Sequence, residues 1–189
     1  MIDKSLIDQN TEEHYVKKGD PNKSTYYIIR PRWSTAGLFA HFAVFAGHIR
    51  YALSKDWFPV VDMQNYPNAY LVPQKLGKEN AWEYYFEQPM RIGLEEAYNG
   101  ENVILGSIVE PPRPTLENIL DHATLAKWRM LVKKGLLTIK PDIMKEVLSV
   151  RERLFNPTDR VLGVKLRGTD YNVAKYHPIP PPLNMQLML

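Results

Sequence analysis

The chain has 189 residues, 44% of them hydrophobic and 24% charged, which excludes a wholly disordered polymer. That length provides for one domain with a sizeable core, or one domain and a piece of a second. There is no cysteine, so disulfide frameworks, thiolate metal sites and cysteine nucleophiles are all removed. The net charge of +3 is scattered and forms no basic stripe, which argues against nucleic acid and suits a small anionic ligand held by one or two arginines.

Residues 1–24 read as a polar lead-in that ends in the turn-rich "GDPNKS". Its acids are unlike a signal peptide, and the nearest thing to a membrane span, "AGLFAHFAVFAGHI", is interrupted by His41 and His48. A cytoplasmic protein without a membrane span is the expectation. "TYYIIRP" then predicts a buried strand stopped by Pro31, and "RPRWSTAG" a loop in which Ser34 or Thr35 is available to cap a helix. In that helix Leu38, Phe42, Phe45, Ile49 and Leu53 fall on one face. "WFPVVDM" is a second strand ending at Asp62. "AWEYYFEQP" is ambiguous, aromatic enough for a strand yet with Glu83 and Glu87 one helical turn apart. A short helix in "IGLEEAYNGE", closed by Asn99-Gly100, leads to a third strand, "NVILGS".

Two more helices are predicted, one from about Leu116 to Lys134 and one from about Asp142 to Phe155. In the second, Ile143, Val147, Val150 and Leu154 repeat at helical spacing and Pro141 suits the first turn. "VLGVKL" is expected to be the fourth strand. Strands alternating with helices give an α/β fold with an open, mainly parallel sheet flanked by helices. The expected divisions are the lead-in to residue 24, an α/β domain over 25–158, the first strand and turn of a second domain over 159–182, and a tail over 183–189. In such sheets ligands sit beyond the carboxyl ends of the strands, which here carry Arg30, Arg32, Asp62, Ser107 and the turn Arg167 to Asp170.

In "KLRGTDY", Arg167 can present a planar fork to a phosphate while Gly168 lets the backbone turn closely. Asp170 could orient that arginine or bind a sugar hydroxyl. On spacing alone, a surface turn in which Arg167 and Asp170 pair with each other is the plainer reading. The stretch "GVKLRGTDYNVAKYHPI" resembles the donor-site motif of GDP-fucose-dependent fucosyltransferases of the α-1,6 branch, through Gly163, Val164, Arg167, Thr169, Asp170, His177, Pro178 and Ile179. "RPRWSTAGLF", "VVDM…N" and "GKENAWEYYFEQP" are similar to a bacterial fucosyltransferase-like family that shares the motif.

The resemblance implies a GT-B-like enzyme of two facing α/β domains that transfers fucose from GDP-fucose to a glycan with inversion. No metal and no cofactor beyond that donor are implied. Arg167 would bind the diphosphate and steady the departing GDP, with Asp170 beside it and Lys165, Gly168, Thr169, His177, Gly37 and Arg32 lining the substrates. Lys165 stands where the motif has histidine and Gly168 where it has a second arginine, and "YNVAKY" carries no glutamate for the general base. Asp170, Asp62 or a residue of another chain are the alternatives for that base. The chain is expected to hold the first domain and only the opening strand of the second, to be inactive alone, and to associate with whatever supplies the donor half. A non-catalytic glycan- or nucleotide-binding module is the alternative.

Three further features have two readings each. Ser34 to Gly37 can cradle a phosphate or merely start a helix. Trp82, Tyr84 and Tyr85 can stack a sugar, though aromatic segments are more often core. His41 and His48, roughly 10 Å apart along one helix, read as partly buried structural residues rather than metal ligands.

Overall fold

A computed structural model describes residues 2–31, 34–109 and 122–161, in two compact units divided after Glu146. In the first unit a four-stranded sheet is built from β1 (His14–Lys17), β2 (Thr25–Ile29), β3 (Phe58–Val61) and β4 (Asn102–Leu105). The spatial order is β1-β4-β2-β3; β2 is parallel to both β3 and β4, and β1 is antiparallel to β4. Helix α1 (Leu38–Ser54) connects β2 to β3, and α2 (Leu94–Asn99) precedes β4. Helix α3 (His122–Lys133) follows, and α4 (Pro141–Leu154) runs across the division between the units.

The sheet is covered on both faces, and its strands alternate accordingly. Tyr27, Ile29, Val61 and Ile104 enter one core with Phe45, Ile49 and Ala52 of α1 and Leu131 of α3. Ile28, Val60, Val103 and Leu105 enter the other with Leu94, Ala97 and Tyr98 of α2. Period-two alternation between two apolar layers is why these strands read as almost continuous apolar runs.

Two expectations are corrected, and one strand appears that was not expected. Of "VLGVKL" only Val161 is described, outside any strand, and 162–166 lie outside the described residues. The fourth strand of the described sheet is His14–Lys17, drawn from the lead-in. An edge strand with no fully buried position needs no apolar signature, so its sequence looked like linker. Neither Ser34 nor Thr35 caps α1; the N-cap is Gly37, and the first helical N–H, that of Leu38, donates to the Tyr70 hydroxyl. "AWEYYFEQP" is neither strand nor α-helix but a 3-10 turn over Ala81–Tyr84.

That turn replaces a strand at the open edge of β3. The Gln88 side chain accepts from Val61 N–H at 2.9 Å and donates to Val61 carbonyl at 2.8 Å. Asn80 donates to the same carbonyl and accepts from Met63 N–H. Two amide side chains thus satisfy an edge that would otherwise expose a row of backbone groups.

The lead-in is fastened on similar terms. Asn102 accepts from Gly19 N–H at 2.9 Å and donates to Asp20 carbonyl at 2.7 Å, while Lys17 donates to the Tyr98 carbonyl at the end of α2. In the second unit, the last turns of α4 expose Val147, Leu148, Val150 and Leu154, and a turn over Asn156–Asp159 follows.

Candidate functional site

The chain runs from β2 to its neighbour on one side, β3, and then crosses to the other side, β4, so strand order reverses at β2. The carboxyl ends at that reversal are the place where open α/β sheets hold ligands. Arg30, Asp62 and Gly106-Ser107 follow β2, β3 and β4 directly, which brings these predicted end residues to one edge.

Arg30 is 2% exposed, yet its guanidinium is fully engaged. It donates to Gly106 carbonyl at 2.6 and 3.0 Å, to Asn10 carbonyl at 2.7 Å and to Glu12 carbonyl at 3.5 Å, above the Tyr66 ring. The crevice between β2 and β4 is therefore filled by the chain's own lead-in. Gly106 is required there, because a Cβ would stand 2.7 Å from the Tyr27 hydroxyl.

Asp62 is wholly buried. It accepts from the Tyr98 hydroxyl at 2.8 Å, from Asn65 Nδ2 at 2.8 Å, and from the N–H groups of Gln64 and Asn65 at 2.9 Å. Burial pushes its carboxyl above the usual range, and the Asn65 and Tyr98 bonds oppose that shift. A carboxylate with four internal donors and no exposure shapes the loop after β3; it is not poised to take a proton from an acceptor sugar. Asp62 is thereby set aside as a general base.

The open part of the edge lies at the start of α1. Gly37 is exposed, Tyr70 reaches over to Leu38, and Phe39 in the first turn is 76% exposed. Of the predicted substrate-lining residues only Gly37 is described. Arg32, Lys165, Arg167, Gly168, Thr169, Asp170 and His177 lie outside the described residues. Trp82 is core at 0% exposure, while Tyr84 and Tyr85 are half-buried around it. Sequence reasoning missed Tyr98, Asn65, Asn80 and Gln88. Asp62 and Asn65, spaced for a side chain to close its own turn, were a legible signal for one of them.

His41 and His48 are both buried, as structural histidines. His48 Nδ1 lies 2.9 Å from the Tyr27 hydroxyl, and burial together with the Arg30 charge holds its imidazole down at about 4. In the unfolded chain a histidine titrates near 6.5. The native state is thus fully favoured above that value and loses stability as pH falls from about 6.5 towards 4, by about 3 kcal/mol. Urea titrations across that window should show this slope, flattened in His48→Gln; identical slopes in the two proteins would refute it.

Among the described residues no group of three or more His, Asp or Glu could hold a metal, and no helix is long and apolar enough to cross a membrane. No protein family, curated protein or solved structure matches this chain.

Proposed function

We propose that this chain belongs to a fucosyltransferase-like, GT-B-like glycosyltransferase that takes GDP-fucose as donor, and that it contributes the first α/β domain and the opening of the donor-binding motif. The observation that carries the reading is the run Gly163-Val164 to Arg167-Gly168-Thr169-Asp170 to His177-Pro178-Ile179, which resembles the donor-site motif of those enzymes. A three-layer α/β domain with strand ends that converge on one edge is the kind of scaffold on which such a motif works.

The chemistry follows from charge. An acceptor hydroxyl attacks the anomeric carbon from the face opposite GDP, the bond from that carbon to the diphosphate oxygen breaks, and negative charge builds on the departing phosphate. A fixed guanidinium at Arg167 stabilises that charge most in the transition state, where it accelerates the reaction. Lys165 adds a second cation near the donor, and Asp170 orients Arg167. The acceptor's proton leaves to a base that neither Asp62 nor the carboxylate-free "YNVAKY" supplies.

GDP and GDP-fucose are expected to raise the melting temperature of the chain through their diphosphate, and Arg167→Ala to abolish the shift. In an assay of turnover with GDP-fucose, the same substitution is expected to cost about 3 kcal/mol of transition-state stabilisation, read as a fall in kcat/KM of two orders of magnitude or more. No shift with GDP, a shift that survives Arg167→Ala, or an unchanged rate in Arg167→Ala would overturn the reading.

A further inference from the structure

Away from the sheet's carboxyl edge, Lys127, Met130 and Leu131 of α3 and Lys134 just past its end repeat at i, i+3, i+4 and i+7 and line a groove with Leu53 and Leu136. The end of the helix builds that groove. Gly135, at φ +69°, closes α3 with two backbone bonds, its own N–H to the Val132 carbonyl and that of Leu136 to the Leu131 carbonyl. This closure folds Leu136 back onto Leu131, so the apolar floor is a direct product of the cap.

The groove has two adjoining lobes of about 590 and 450 Å³, which share Lys134 and Leu136. The second lobe is bounded by Glu87, Gln88, Met90 and Arg91 on its far side. Met90 and Arg91 both hold left-handed backbone at φ +57° and +59°, a costly pair of conformations for residues with side chains. Arg91 is 89% exposed, and its guanidinium lies 4.0 Å from the Glu87 carboxylate.

Lys127, Lys134 and Arg91 line the groove against one acid, Glu87, and the segment that carries the two lysines adds cations outside the groove. Residues 122–140 carry Lys127, Arg129, Lys133, Lys134 and Lys140 and not one Asp or Glu. The floor is apolar, with Met130 41% exposed and Leu131 buried.

We propose that this groove receives an acidic amphipathic helix of a partner protein. Lys127 and Lys134 stand two turns apart, about 10 Å along α3. A helix with Asp or Glu at i and i+7 repeats that spacing, and apolar residues at its i+3 and i+4 meet Met130 and Leu131. Methionines on the two sides of the groove, Met90 and Met130, suit a surface that adapts to its occupant. Concavity favours a protruding helix over a flat anionic membrane, which would meet the rim and leave the floor empty. The proposal stands apart from the glycosyl-transfer reading, since no lining residue belongs to the carboxyl edge.

The test is an amide chemical-shift titration of the whole chain with a synthetic helical peptide that has Glu at i and i+7 and Leu at i+3 and i+4. A copy with Lys in place of both Glu is the control, and phosphatidylglycerol vesicles are the competing probe. Shifts confined to residues 87–91 and 127–138, weakened by salt, are expected. K127E/K134E should raise the dissociation constant at least about tenfold and transfer preference to the Lys peptide, as charge-paired contacts do. Both lysines are exposed, so the variant should melt like the parent. Met130→Gln should weaken binding of either peptide. No shift at millimolar peptide, equal binding of both peptides, binding unaffected by K127E/K134E, or a preference for vesicles over peptide would each overturn the proposal.

Discussion

Trp82→Ala is expected to lower stability by about 4 kcal/mol, at the large end of single-residue effects. Trp82 is fully buried in a segment whose regular structure is short 3-10 turns, so few local backbone bonds compensate for its loss. Its ring stacks on Phe86 with centroids 4.3 Å apart, meets Phe45 edge-on at 5.6 Å, and lies against Phe42 at 6.4 Å. Its Nε1 donates to the Glu87 carbonyl at 3.0 Å, which fixes the chain that carries Gln88 to the edge of β3. Truncation opens a cavity between α1 and this segment and leaves a partly buried carbonyl without its donor. Trp82→Phe, which keeps one aromatic ring in place but loses the rest of the indole and its bond, should cost about 2 kcal/mol of that. Chemical denaturation of the three proteins gives the comparison; a loss below about 1 kcal/mol in Trp82→Ala would show that the segment is held by its amides alone.

Asp62→Ala is expected to cost about 3 kcal/mol, as the Tyr98 hydroxyl and the turn at Gln64-Asn65 lose their shared acceptor. The loss of a buried carboxylate also removes its desolvation penalty, which keeps the figure below the sum of four bonds. Burial and the Asp62 charge hold the Tyr98 phenol far above its ordinary range, so it stays a donor throughout. Hydrogen exchange at Gln64 and Asn65 should quicken along with the fall in denaturation midpoint. Unchanged exchange at those two amides, with stability intact, would contradict the role given to Asp62.

Elements with a buried face were legible in the sequence, because burial imposes a period. "TYYII", "FPVV" and "NVIL" are strands; α1 runs from Leu38, and Asn99-Gly100 closes α2 as expected. What the sequence hid was built from side chains that replace backbone. Asn80 and Gln88 sit in a stretch that looks aromatic and helical, yet they serve as the missing neighbour of β3. His14–Lys17 hid for the opposite reason, as an edge strand that owes its place to β4 rather than to any apolar pattern of its own. Arg30 illustrates the same limit at the candidate site. An arginine at a strand end looks ready for a phosphate, and only its contacts with the carbonyls of Asn10, Glu12 and Gly106 show that it fastens the lead-in.

By itself, then, the order of residues determined the α/β class and which strand ends would face a common edge, since both depend on local periods of apolar burial. Tertiary structure alone decided what fills that edge, that Asp62 is locked and Gly37 open, and that α3 ends in a cationic groove. Each of these depends on groups tens of residues apart that compete for the same buried donors, acceptors and space, and no local pattern records the outcome.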